Sequence, residues 1–282
     1  MKKVIINADD FGLAQGVNEG IIKAHQEGVL TSATLMANMP GFDQAVEMAR
    51  ANPELGVGVH LNILRGWPLS PTQKVGSLLS RELRFIPSVS NLLHRIALKR
   101  VNFDEVEREF RAQVEKVQRA GINPSHIDSE KHIHLIRPLF RIVLKLAKEY
   151  KINKVRFVQE CCLSSRPGQM LKSIFISLSS TSMKKKMIQE GIRSPDRFYG
   201  VCDSGRITAG KLQQVLQRAK EGVTEIMVHP GFITQEMLEL ENQIGPYYIN
   251  KYREKELNAL LDKKLSNLIE DLKIQQISFN QL

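Results

Sequence analysis

The stretch Val4-Ile5-Ile6-Asn7-Ala8-Asp9-Asp10-Phe11-Gly12 decides the fold. A short β-branched run breaks at once into paired acids, an aromatic and a glycine. An apolar run of this kind, bounded by a turn signal, reads as a strand buried on both faces, as in a parallel sheet. The same design recurs along the chain. Further strands are expected at Ser32 to Asn38, Gly56 to Asn62, Ser125 to Asp128, Lys154 to Val158, Phe198 to Cys202 and Thr224 to Val228. Stretches of helical period separate them: Gly16 to Glu27, Phe42 to Asn52, Asp104 to Ala120, Arg137 to Lys151, Thr208 to Lys220 and Lys255 to Lys273. Thr208 suits an N-cap and Pro138 a first helical turn. Strands alternating with helices imply an α/β fold with a parallel sheet. About seven strands without a break favour a deformed, closed or nearly closed (β/α) barrel of the TIM-like type over an open doubly wound sheet.

The length of 282 residues fits one barrel domain of roughly 250 residues with insertions. Two segments interrupt the alternation, near 65–101 and 164–197; both follow a strand C-terminus, where a lid or a dimer contact would sit. Hydrophobic residues at 42 % and charged residues at 25 % exclude a disordered chain and a collagen. No uncharged apolar run reaches the roughly 18–20 residues of a membrane span. Acids follow the N-terminus too soon for a signal peptide, and three cysteines make no disulfide framework. A reducing cytoplasm is the expected location. The net charge of +10 raises a nucleic-acid reading. The basic residues, however, are spread over helical stretches without a helix-turn-helix, zinc-finger or RNP pattern, so no nucleic acid is expected.

The polar residues fall at strand ends. The first strand ends in Asp9 and Asp10, the third in His60, the fourth in the run His126-Ile127-Asp128-Ser129-Glu130-Lys131-His132-Ile133-His134, and the last in His229. In a parallel barrel all strand C-termini open on one face, so these groups converge. Buried polar groups are costly unless paired or bound to metal. Neighbours on a strand face opposite ways. Asp9 and Asp10 therefore reach one site only beyond the strand, where Gly12 helps the chain turn. Two adjacent carboxylates are stabilised by a cation. The run 126–134 has period two, but at about 3.3 Å per residue its ends lie too far apart for one small ion. Only one or two of its members can touch a metal. A mixed Asp/His/Glu shell suits a catalytic divalent ion, magnesium, zinc, manganese or cobalt, rather than a closed structural zinc. No Gly-rich phosphate loop and no Gly-x-Ser-x-Gly elbow is present.

Asn-Ala-Asp-Asp-Phe-Gly (residues 7–12), Gly-Val-His-Leu-Asn (58–62), His-Ile-Asp-Ser (126–129) and Val-His-Pro-Gly (228–231) resemble, in order and spacing, the YdjC-like carbohydrate deacetylases. The resemblance runs from Val4 to about Gly231. It implies a deformed barrel related to the polysaccharide deacetylases and metal-dependent removal of acetyl groups from N-acetylated sugars. A homodimer is a further expectation from it. Carried onto this chain, the resemblance makes Asp10 and His60 metal ligands, Asp9 the base and His229 the acid. The third family ligand is a histidine directly after Asp-Ser; this chain has Glu130 there, with His132 as a substitute if the loop shifts. A family arginine falls on Arg156; of the family's Pro-Arg-Glu pattern after it, only Glu160 matches. Asp128 is read as an orienting partner for a histidine, and His126 and His134 as substrate contacts, second partners or core residues. Rival readings are a sugar- or metal-binding protein without turnover and a hydrolase of another amide or ester on the same barrel.

Overall fold

The computed structural model describes residues 1–159, 183–244 and 252–282. The strands are β1 (Lys2–Phe11), β2 (Ser32–Leu35), β3 (Gly56–Leu61), β4 (Ile127–Ser129), β5 (Arg197–Tyr199), β6 (Gly222–Val228) and β7 (Gln275–Gln276). They form one sheet in the order β4-β3-β2-β1-β6-β5, with β7 beside β1, and every pairing is parallel. Parallel neighbours need crossovers, which the helices supply. These include α1 (Gln15–Gln26), α2 (Phe42–Ala51), α3 (Val89–Ala97), α4 (Phe103–Arg119) and α5 (Arg137–Glu149). Later in the chain come α6 (Ala209–Gln217), α7 (Gln235–Ile244), α8 (Tyr252–Leu260) and α9 (Lys263–Asp271).

The sheet curls into a nearly closed barrel. β1 has a neighbour on each side and is buried from Val4 onward, its polar Asn7, Asp9 and Asp10 included. Between β4 and β5 the ring is carried by two single-residue bridges, Ile127 to Val155 and Lys154 to Arg193. The expected strand Lys154 to Val158 is thus reduced to bridges. Arg193, four residues before β5, makes the last link, with Val155 N–H donating to Arg193 O at 3.0 Å.

Three other expectations shift. β2 stops at Leu35 rather than Asn38, and the strand expected at Phe198 to Cys202 is Arg197–Tyr199. The helix expected over Lys255 to Lys273 is two, because Asp262 caps a fresh start by accepting from Lys264 N–H at 2.9 Å. Thr208 caps α6 and Pro138 opens α5 as expected. The segment near 65–101 holds two 3₁₀ turns and α3, capped by Ser88. Most of the segment near 164–197, with Glu160, lies outside the described residues. Cys202 is disulfide-bonded. Among the described residues no helix is long and apolar enough to cross a membrane.

The barrel's two ends differ. At the N-terminal end of the strands the chain terminus forms a plug: Phe279 is fully buried and stacks on His126 at 3.5 Å between ring centres. Its N–H donates to Ser32 Oγ at 3.0 Å. The strand C-termini open onto a cavity of about 450 Å³.

Candidate active site at the strand C-termini

β1 brings both aspartates to the cavity from within the strand, not beyond it. The register against β2 shifts between Ala8 and Phe11, and Asp10 takes φ of 70°. This bulge, with left-handed Asp10, undoes the alternation that would send the two side chains to opposite faces. Both line the cavity and are nearly fully buried. Gly12, at φ 85°, then turns the chain into α1.

His60, on β3, is fixed on its far side. Its Nδ1 lies 2.7 Å from Asp128 Oδ1, and Thr34 donates to Asp128 Oδ2 at 3.1 Å. Nε2 is therefore the nitrogen left facing the cavity, 3.7 Å from Glu130 Oε2. Burial alone would favour neutral His60, but the Asp128 carboxylate and the bonds from Asp128 and Glu130 raise its pKa well above the usual value. β4 ends at Ser129, and the chain coils into a tight turn over Glu130–Leu135, with Lys131 and His132 both at positive φ. The turn breaks the extended run, so its side chains separate. Glu130 and His132 line the cavity. His134 turns inward, with Nδ1 2.6 Å from Ser129 Oγ and Nε2 3.0 Å from Arg156 O. His126 lies at the opposite end against Phe279 and Ser125. Burial lowers both: His134 to about 3 and His126 well below the usual value. Neither lines the cavity.

Arg156 is fully buried among the carboxylates. Its fork donates to both oxygens of Asp9, at 2.8 and 2.7 Å. It also pairs with Asp128 at 2.5 Å and, through Nε, donates to Glu225 at 2.7 Å. Burial opposes ionisation of Asp9, but Arg156 outweighs it and holds the carboxyl well below the usual range. Burial pushes Glu225 up to about 7 against the pull of Arg156.

His229, directly after Val228 of β6, lines the cavity next to β1, where Ala8 pairs with Val228. Its N–H donates to Glu256 Oε2 at 2.6 Å, and Nδ1 stands 4.0 Å from that oxygen. The other Glu256 oxygen accepts from Ile207 N–H at 3.0 Å. Burial raises the Glu256 pKa, with His229 opposing.

Asp10, His60 and Glu130 each offer one ligand atom, all within 4.8 Å of one another. Ligands at about 2.0–2.2 Å from a small divalent ion stand up to about 4 Å apart. Two carboxylates and one imidazole at this spacing fit such an ion after a small contraction. Asp9, His60 and Asp128 form a second group of similar span, but all four of its carboxylate oxygens are already engaged, those of Asp9 by Arg156 and those of Asp128 by His60, Thr34 and Arg156. That group is an ion-pair network.

Five residues of the site escaped the sequence reading: Thr34, Arg65, Glu225, Arg253 and Glu256. Glu225 carried a signal, a lone acid inside the apolar run 224–228. Arg253 and Glu256 sit on α8 and carried none, since exposed helix faces hold the same residues.

Fold and site together define a parallel α/β barrel with a carboxylate–imidazole cluster at its strand C-termini. The chain belongs to the YdjC-like protein family, whose model matches residues 3–271. It is 38 % identical over 281 residues to a carbohydrate deacetylase of Brevibacillus brevis, covering 99 % of both chains. It is 32 % identical over 283 residues to carbohydrate deacetylase 1 of Listeria innocua, covering 99 % of this chain and 100 % of that one. A solved structure from Enterococcus faecalis, described as a putative cellobiose-phosphate cleavage protein, superposes with a TM-score of 0.77 at 30 % identity. The match covers 99 % of this chain and 98 % of that one.

Proposed function

We propose that this protein is a metal-dependent carbohydrate deacetylase that hydrolyses the acetamide of N-acetylated sugars. The observation that carries the reading is the convergence of Asp9, Asp10, His60, Glu130 and His229 on one cavity, in a chain whose curated relatives are named carbohydrate deacetylases.

Asp10, His60 and Glu130 would hold one divalent cation, magnesium or zinc, with manganese or cobalt as alternatives. Bound there, it would polarise the acetyl carbonyl and lower the pKa of a water from 15.7 toward about 7. Asp128 holds the His60 ring so that Nε2 is left for the cavity, where it would serve as the ligand atom. Asp9 accepts the proton of the water as its oxygen bonds to the acetyl carbon; the C–N bond then breaks, and acetate and the free amine leave. Arg156 keeps Asp9 ionised for that role and fixes its two oxygens. His229 gives a proton to the departing amine, a transfer for which imidazole is the commonest side-chain donor. Glu256 ties the His229 backbone in place. His132 lines the wall of the cavity and is proposed as a substrate contact.

The test is acetate release from N-acetylglucosamine oligosaccharides. The protein is stripped of metal and resupplied singly with magnesium, manganese, cobalt or zinc, beside Asp9→Asn. Metal-dependent release that the variant loses, with metal still bound, is the expected result. Loss of metal from Asp9→Asn would overturn the role given to Asp9. A wild type that binds metal but releases no acetate would favour another acyl substrate or a binding role.

A further inference from the structure

The two carboxylates of the cluster around His60 share an unusual kind of partner. Arg253, on α8, donates to Asp10 Oδ2 at 2.5 Å. Arg65, in the loop after β3, donates through Nε to Glu130 Oε1 at 3.3 Å. The side chains of all four residues are no more than 5 % exposed. Arg65 is held at its backbone: its N–H donates to Asn62 Oδ1 at 3.1 Å, and its carbonyl accepts from Asn62 and Asn38 at 3.0 Å each. Each carboxylate thus has one oxygen engaged by a buried guanidinium.

We propose that Arg65 and Arg253 are built-in counter-ions of the metal site: they hold Glu130 and Asp10 in the metal-free protein and set a ceiling on metal affinity. The proposal rests on the metal reading of Asp10, His60 and Glu130. Buried carboxylates side by side repel and are costly without opposite charge. A guanidinium meets that need permanently, because it does not deprotonate in proteins. The same permanence opposes a second cation. An ion entering beside Glu130 gains attraction from a carboxylate already shared, and is repelled by Arg65 at short range in a poorly screened interior. The metal therefore binds reversibly, and the metal-free barrel stays folded. The device suits this chain in particular. Glu130 stands where the resemblance places a neutral histidine, and Arg65 offsets the charge that this adds.

The experiment is titration of the stripped full-length protein with manganese(II), followed by calorimetry and by the electron spin resonance signal of the free ion. Wild type, Arg65→Gln, Arg65→Lys and Arg253→Gln are compared, with thermal midpoints in the stripped and loaded states. Arg65→Gln is expected to tighten manganese binding about tenfold. It should also lower the midpoint of the stripped protein more than that of the loaded one. Arg65→Lys, which keeps the charge, should stay near wild type. Affinity in Arg65→Gln that is unchanged or weaker would overturn the proposal, making Arg65 an orienting group only. Equal tightening in Arg65→Lys would overturn it too, since the effect would follow the fork and not the charge. If Arg65→Gln fails to fold, Arg253→Gln asks the same question at Asp10: tighter binding supports the proposal, and unchanged or weaker binding overturns it. A wild type that binds neither manganese nor zinc would instead bring down the metal reading, before any variant is compared.

Discussion

His134 shows how residues of one type divide between chemistry and support. Its neighbour in the run, His132, faces the cavity, while His134 spends both ring nitrogens on Ser129 and Arg156. That commitment has a pH signature. Its pKa falls from 6.5 to about 3 on folding, because burial disfavours the charged ring. The unfolded chain thus binds a proton below 6.5 that the folded one refuses. The stability it contributes is present above pH 6.5 and is lost progressively as pH falls toward 3. The thermal midpoint should therefore decline below pH 6.5, and His134→Gln should flatten that decline although it lowers stability at neutral pH. Midpoints at about pH 7.5 and 4.5 for both proteins, on either side of the ordinary histidine pKa, measure this. Parallel curves would show that His134 is not the group responsible.

Among the elements, the C-terminal plug matters most to the barrel's closed end. Phe279 is fully buried, lies flat on His126 with an interplanar angle of 9°, and packs with Ile5 and Ile277. Lys154 Nζ donates to Asn280 O at 3.0 Å, which ties the weak side of the ring to the plug. Phe279→Ala should cost about 3–5 kcal/mol, as other buried aromatic truncations do. Denaturant melts would measure it. The plug and the site lie at opposite ends of the strands. Residual acetate release in Phe279→Ala at low temperature should therefore keep the metal dependence of the wild type.

For the molecule as a whole, closure is uneven. β1 and β6 pair in register over seven residues, from Lys2 with Gly222 to Ala8 with Val228. The opposite wall rests on the two isolated bridges at Val155 and Arg193. Opening free energy follows how many backbone bonds must break together. Amide hydrogen exchange should be slowest at Ile6 and Ile226 and clearly faster at Val155 and Arg193. Equal protection would mean that the bridged wall is as cooperative as the central strands. Arg156 follows directly on that wall and pairs with Asp9, Asp128 and Glu225. The ion pairs close across the interior what the backbone closes only loosely.

The alternation of β-branched runs with helical periods determined the parallel α/β sheet, while its closure past Val155 and Arg193 was decided by tertiary structure. The placement of acids and histidines at strand ends determined which end carries the cluster. Both are local consequences of side-chain period and burial, which a linear sequence records. The sequence could not show that Asp9 and Asp10 share a face inside a strand, because a bulge depends on the partner strand's register. Nor could it separate His132 from His134, whose fates depend on a turn with two left-handed residues. Arg65, Arg253 and Glu256 became part of the site only through tertiary structure. A charged side chain on a loop or helix looks solvated until the fold buries it, and only the distance to an opposite charge then tells what it does.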